Sequence, residues 1–474
     1  MLQTQTGSNR TIFTLLLATI TAVLTAKSSA GFSLTLLSLL SVFAFFALQT
    51  EPLLLFWLAT SSVANYFIRY PWLQAVVTFD RVIISVLAIS LVIQTLKNPK
   101  ASISLSYFEL FWLALTAITL IDTFTRSFTP QSLKLAVDVY LLPIVLFIVT
   151  KNSIHIAQYR FKLFTILIFL AYLLPIIGCY EFFTGSDLFS YPGSDLMRDA
   201  VIRPNGFFQA DNSFAVISLL VAVALIYWPR LFKLELKSKL FWFLAIFSAL
   251  LASLLPQFRA VAITAGLCLL ISLLLLRGIK KSVRPLIIVF LLVMLFLPLY
   301  SVLRDSSFFQ NRIANTTNAY SRVETYKVAI DVIKTNLLFG VGVGKYEDYF
   351  YQHYAPRKYA STQEELKKLP QSTPHNNLLA IMSEMGIVGA VAYLLSVFAV
   401  FVFSTSMIVK GGEERTLGAA IFTLWLAYTV VGMTLTSGYY SDVNLILFFF
   451  SALFLKSKEL KQGVKDEPVE KIQA

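Results

Sequence analysis

This chain is short of charge. Asp, Glu, Lys and Arg make up 14% of its 474 residues, against 57% hydrophobic residues. A soluble globular chain carries about a quarter charged residues. The deficit, with the long apolar runs, excludes an ordinary soluble domain and points to a membrane protein. Cysteine is scarcer still. Cys179 and Cys268 lie far apart in apolar runs, which argues against a disulfide and leaves both as small buried hydrophobes. No His, Cys and carboxylate cluster has metal-ligand spacing, so no metal is expected. No Walker-type phosphate loop occurs, and Gly340, Gly342 and Gly344 follow no strand, so they are not a dinucleotide fingerprint. An ATP-driven enzyme is disfavoured, and no cofactor is expected. No small-residue cleavage site follows the apolar segment 11–26, which reads as a first span and not as a signal peptide.

What is present is a series of spans. Apolar runs lie at about 11–26, 30–48, 52–68, 72–96, 104–121, 133–150, 162–183, 205–228, 240–256, 258–276, 285–303, 377–409, 416–436 and 442–455. The expected fold is an all-α, polytopic transmembrane helix bundle of 12–14 spans. The net charge of +13 is read as the Lys/Arg surplus kept on the cytoplasmic side. Nucleic-acid binding is not expected, because the basic residues sit in short inter-helix loops. With the N-terminus inside, 21 of the 39 basic residues fall in inside segments, and both termini are cytoplasmic. The segment 304–376 then lies outside; long loops translocate largely regardless of charge. The organisation expected is N-terminal spans (1–200), central spans (201–303), the periplasmic loop (304–376), C-terminal spans (377–455) and a polar cytoplasmic tail (456–474). Within the loop, 322–338 has helical spacing and reads as an amphipathic helix near the membrane. Glycines at 340, 342 and 344 break it, and Asn376 or Asn377 caps the next span.

Several polar residues stand where they are costly or unexpected. Arg203, in RPNGFFQADNSFA, precedes a span on the outer side, and Arg259, in PQFRA, stands at the outer end of another. Arg322 and His375 bracket the outer loop. Arginine is the natural partner of phosphate, because its planar fork makes two charge-assisted hydrogen bonds and keeps its charge. Taken singly, each of these arginines also reads as a side chain snorkelling to lipid headgroups. His375, in PHNNLL, titrates near neutral pH and is able to take a proton from a sugar hydroxyl; the plainer alternative is a loop-end residue beside an Asn cap. His155 and His353 read as incidental. Glu384 lies about two turns into the following span, at a depth where a carboxylate faces a polar cavity or a partner; it could pair with an Arg or orient a catalytic group. Asp80 and Arg81 read as an internal structural pair. Asp138 and Glu181 lie near span ends, where solvation is expected. Asp211 and Asn212 could share a cavity with Arg203. The outer loop has no Asp-x-Asp pair of the kind many nucleotide-sugar transferases use for a divalent metal.

Together these motifs resemble the O-antigen ligase and polymerase superfamily of bacterial polysaccharide assembly. The elements are RPNGFFQADNSFA (203–215), Arg259 after an outward span end, SRVETYKVAIDVIKTNLLFGVGVGKY (321–346) and HNNLLAIMSEMGIVGA (375–390). They occur in the family's order over about residues 200–395. Two positions depart from the family pattern. Phe258 stands before Arg259 where Ser or Thr is usual, and Leu338–Phe339 precede the glycines where Pro is usual. The resemblance implies a metal-independent glycosyltransferase of the bacterial inner membrane, acting at its periplasmic face. Its donor would be a glycan on undecaprenyl pyrophosphate, and its acceptor a second glycan or lipid A-core. Membrane lipids would surround it, and other polysaccharide assembly proteins could join it. Arg203, Arg259 and Arg322 would hold the pyrophosphate, His375 would deprotonate or orient the acceptor hydroxyl, and Asn376 and Glu384 would support them. A protein acceptor, as in protein O-oligosaccharyltransferases, is a third branch. From another class come a transporter or flippase of lipid-linked sugars and a scaffold. Clustering of the polar residues at one face favours surface chemistry over a transporter's midplane sites.

Overall fold

In a computed structural model of the chain, the residues described are 50–67, 78–97, 105–153, 156–186, 188, 197–198, 201–208, 210–234, 238–277, 317–353 and 374–457. The spans expected at 11–26, 30–48 and 285–303, the loop segments 304–316 and 354–373, and the tail beyond 457 lie outside them. The protein is a polytopic helical bundle. Eight of the helices among the described residues are long and apolar enough to cross a membrane.

The chain divides into two compact units. In the first, α1 (Thr50–Phe67) packs on α2 (Phe79–Lys97). Buried polar groups find partners inside the pair: the Trp57 indole N–H donates to Asp80 Oδ1 at 2.8 Å, and Gln94 donates to the Thr50 hydroxyl at 2.9 Å. Asp80 is thus tied to a tryptophan on the neighbouring helix.

The second unit holds α3 (Tyr107–Thr125), α4 (Pro130–Asn152), α5 (Arg160–Thr184), α6 (Asp211–Leu231), α7 (Lys239–Leu254) and α8 (Arg259–Arg277). It continues with α9 (Thr317–Thr335), α10 (Tyr346–His353), α11 (Asn377–Lys410), α12 (Gly412–Gly432) and α13 (Ser441–Lys456). A two-residue ribbon, β1 (Met197–Arg198) with β2 (Val201–Ile202), is antiparallel. Helix α6 is apolar on all sides, as a helix in the middle of a bundle must be. It is 83% buried, against 28% for α8, which makes α6 the central helix and α8 a peripheral one. Helices α5, α7, α8, α12 and α13 surround α6, while α11 packs on α12 and α3. Aromatic rings fill the seam between α3, α12 and α13: Trp112 and Phe448 meet edge to face at 4.6 Å.

Helix α4 contains one wide turn at Ala136–Leu141, next to Pro143. Proline has no N–H to give the carbonyl four residues back. That carbonyl, of Val139, accepts instead from the Asn444 side chain at 3.1 Å, and its neighbour Tyr140 accepts from the Trp112 indole at 3.0 Å. Asp138 and Glu181 are buried, not solvated as their places near span ends implied.

Helix α9 covers 317–335, shifted toward the N-terminus from the expected 322–338, because Asn336 already begins the turn. Its apolar face is Val328, Ala329 and Val332. That face packs on Tyr346 and Phe350 of α10, with Leu379 of α11 at the edge.

Candidate functional site

The long helix α11 is broken. Gly386 has φ 62° and ψ −160° inside it, so the helical hydrogen bonds across that point are lost. Residues 337–342, which follow α9, fill the gap with their own backbone. Val341 and Gly342 N–H donate to the Ser383 and Glu384 carbonyls, both at 2.9 Å. In return Ile387 and Val388 N–H donate to the Leu337 and Leu338 carbonyls, at 2.8 and 3.4 Å. Such an exchange requires two backbones in contact. A Cβ on Gly340 would run into the Glu384 carbonyl, and one on Gly386 into the Leu338 carbonyl. Both glycines also have positive φ, which L side chains resist. The glycines at 340–344 thus do more than end a helix: they splice α9 to α11.

Two groups at the end of α3 hold this turn. Arg126 donates to the Phe339 and Gly340 carbonyls at 3.0 and 2.8 Å, and its guanidinium lies 5.9 Å from the Phe339 ring centre. Asp122 accepts from Val343 N–H at 2.8 Å and from Ser127 at 3.1 Å, and pairs with Arg126 at 3.0 Å. Glu384, buried one turn into the same junction, accepts from the Tyr439 hydroxyl at 2.9 Å, and the Gly344 and Tyr346 N–H groups also donate to it. Burial, and then the carboxylate beside it, hold the Tyr439 phenol well above its usual range, so it remains a donor. Glu384 therefore braces the glycine turn.

His375 stands immediately before α11 with φ 46°. A left-handed conformation is uncommon for a residue with a Cβ and costs about 1–3 kcal/mol; such residues cluster at functional sites. Its neighbours fix it. Pro374 is buried, and Asn376 is extended and caps the helix. The Asn376 Oδ1 accepts from Leu379 N–H at 3.0 Å, and its Nδ2 donates to the Met433 carbonyl at 3.0 Å. The Tyr326 hydroxyl lies 3.4 Å from the His375 carbonyl and 3.1 Å from that of Met433. One phenol on α9 thus reaches the start of α11 and the end of α12. Arg322 precedes Tyr326 by one turn along the α9 backbone.

A second group of residues lies around Arg203. Its guanidinium stacks over the Phe258 ring at 5.3 Å and pairs with Asp211 at 3.6 Å, with its side chain 15% exposed. Phe258 directly precedes Arg259, which is exposed at the first position of α8. The RPNG loop that carries Arg203 is anchored by Glu181. Fully buried near the end of α5, it accepts from the Asn205 and Gly206 N–H groups at 3.1 and 2.9 Å. The two groups meet through the segment between α12 and α13. Asn377 accepts from Gly438 N–H at 2.9 Å, Asn212 donates to the Tyr440 hydroxyl at 3.2 Å, and Ser213 donates to Asp442 at 2.9 Å.

The structure accordingly brings Arg203 beside the residue preceding Arg259, and the helix of Arg322 beside His375, on one polar end of the second unit. It gives Glu384 a tyrosine and backbone partners. Sequence reasoning missed Asp122, Tyr326, the buried role of Glu181 and the part played by Arg126, which is exposed yet holds the glycine turn. A carboxylate four residues before an arginine at a span end is a pairing signal that would have found Asp122 and Arg126.

Residues 244–394 match the family described as O-antigen ligase. No curated protein matches the chain. The matched segment takes in Arg259, Arg322, the glycine turn, His375 and the broken part of α11; Arg203, Asp122 and Arg126 precede it. Over that segment, about a third of its length, this multi-pass membrane protein is similar to the O-antigen ligase family.

Proposed function

We propose that the chain is a glycosyltransferase of the periplasmic face of the inner membrane, moving a glycan from undecaprenyl pyrophosphate to an acceptor hydroxyl. The family match over residues 244–394 supports the coarser reading, a membrane glycosyltransferase of the ligase or polymerase type. In the finer reading, Arg203, Arg259 and Arg322 hold the pyrophosphate. The acceptor oxygen attacks the anomeric carbon, and its proton passes to His375. The anomeric C–O bond breaks, and undecaprenyl pyrophosphate leaves with the electron pair. Fixed guanidinium groups help most where charge grows in the transition state, here on the leaving group. The donor bond supplies the driving force, so the step needs neither ATP nor metal.

One observation carries this reading: His375 is held in a left-handed conformation at a capped helix start, tied by Tyr326 to the helix of Arg322. The test is deletion of the chain, complementation with the parent or His375→Ala, and gel analysis of surface polysaccharide. Single-repeat products on deletion indicate a polymerase; free polymer on the lipid carrier indicates a ligase. His375→Ala is expected to restore nothing although the protein is present in the membrane. Normal polysaccharide in that variant would remove the proton-transfer role.

A further inference from the structure

The glycine turn lies inside the matched segment, yet it is held from outside it, by the end of α3. Resting on the reading that Arg322 and His375 act together on a lipid-linked donor, we propose that Asp122 and Arg126 are positioning residues for the transfer. They fix the register of the glycine turn in the broken helix, and through it the placement of Arg322 against His375.

The argument is one of register. Helix α9 runs into the turn without a linker: Asn336 N–H still bonds back to Val332, and Gly340 N–H to Asn336. On the other side, Ser383 and Glu384 are joined to His375 by the first turns of α11. Arg322 and His375 therefore stand on two stiff arms that meet at the splice. A shift of the turn along the gap displaces one arm relative to the other.

The splice itself is backbone to backbone and carries little side-chain information. Its glycines repeat every second residue, Gly340-Val-Gly342-Val-Gly344, so a slip of two residues presents a similar strand to the same carbonyls. Glycine-rich pairings specify register weakly. What distinguishes one register from the next is the clamp. Arg126 takes the carbonyls of Phe339 and Gly340 with two different nitrogens and lies over the Phe339 ring, a side chain the repeat does not duplicate. Asp122 takes Val343 N–H and at the same time holds Arg126. A forked guanidinium is suited to two adjacent carbonyls; a lysine ammonium is not.

The test uses the full chain in detergent or nanodiscs, with the lipid-linked glycan extracted from a strain deleted for this chain as donor and that strain's envelope glycolipids, lipid A-core included, as acceptor. Glycan released from the carrier is measured for the parent, Arg126→Lys and Asp122→Asn, per amount of monodisperse folded protein. Register is read separately, by spin-label distances between Lys334→Cys on α9 and Val391→Cys on α11, both exposed positions, with Cys179 and Cys268 replaced by alanine. The expected result is a broadened distance distribution together with a kcat reduced at least about tenfold, while KM for the donor changes less than about twofold. If either variant fails to fold, Ser127→Ala is the milder substitute. It removes only the hydroxyl that donates to Asp122 and is expected to give the same pattern, smaller. A distribution as narrow as the parent's, or a broadened one with unchanged kcat, overturns the proposal. So does loss of folded protein in both variants with Ser127→Ala kinetically silent, which would make the clamp a structural tie only. A parent that releases no glycan while its variants still broaden would instead sink the transferase reading, leaving no transfer for the clamp to position.

Discussion

Two loops at the polar end of the second unit are both pinned by a buried acid near the end of a helix, the preceding one for the first and one distant in sequence for the second, and to different ends. Glu181, near the end of α5, accepts two N–H groups of the RPNG loop, which itself carries Arg203. Asp122, near the end of α3, accepts one N–H of the glycine turn, which carries no candidate binding residue and lies between two of them. The first acid sets where a charged group points. The second sets how two helices meet. Removing Glu181 should therefore weaken donor capture, whereas disturbing the glycine turn should affect either the fold or the rate of transfer.

The largest effect is expected where the splice admits no side chain. Gly340→Ala and Gly386→Ala each place a Cβ against an opposing backbone carbonyl, at a positive φ. The left-handed conformation alone costs about 1–2 kcal/mol, and the overlap adds to it because neither backbone has room to retreat. Both variants should lose most of their monodisperse protein in fluorescence-detected gel filtration. Gly411→Ala is the matched control: it has φ 77° but nothing within 4 Å of a Cβ, and should lose only the conformational part. Equal behaviour of all three would mean that the close approach of the two chains matters less than the dihedral angle.

Much of this organisation is legible in the sequence. Among the described residues, apolar runs of span length fall on helices, and glycines at 340, 342 and 344 mark the end of an amphipathic one, because hydropathy and glycine punctuation are local properties. The break at Gly386 is not legible. The sequence around it, MSEMGIVGA, is apolar and helix-compatible, and only a strand docking from elsewhere makes the break tolerable. For the same reason Glu384 reads as a partner for an arginine, while its tyrosine and amide partners come from segments distant in sequence. Asp122 was hidden differently: it sits in the last turn of an apolar span, and its meaning lies in a turn more than two hundred residues away.

Glu181→Ala tests the other half of the comparison at a smaller scale. It strips the acceptor from two N–H groups in a buried setting, at about 1–3 kcal/mol for each group left unsatisfied. The RPNG loop should loosen and Arg203 wander, so donor KM should rise about tenfold with kcat changed less. A fall in kcat at constant KM would place this loop with the glycine turn and dissolve the distinction between them. Glu181→Gln keeps an acceptor oxygen and should restore much of the loss.

The smallest effect belongs to Phe258. The family pattern places Ser or Thr before this arginine, and here a phenylalanine ring lies 5.3 Å from the Arg203 guanidinium. A cation over an aromatic face is stabilised by about 0.5–2 kcal/mol, more when water is excluded. With Asp211 on its other side, Arg203 is held by one charge and one ring. Phe258→Ser removes the ring and keeps the ion pair, so Arg203 should retain its place but gain freedom. The expected outcome is a rise of about two- to fivefold in donor KM, with no change in folded protein, measured in the same release assay. An unchanged KM would show that Asp211 alone orients the guanidinium. A loss as large as that of Glu181→Ala would show instead that the ring, and not the loop anchor, keeps Arg203 in place.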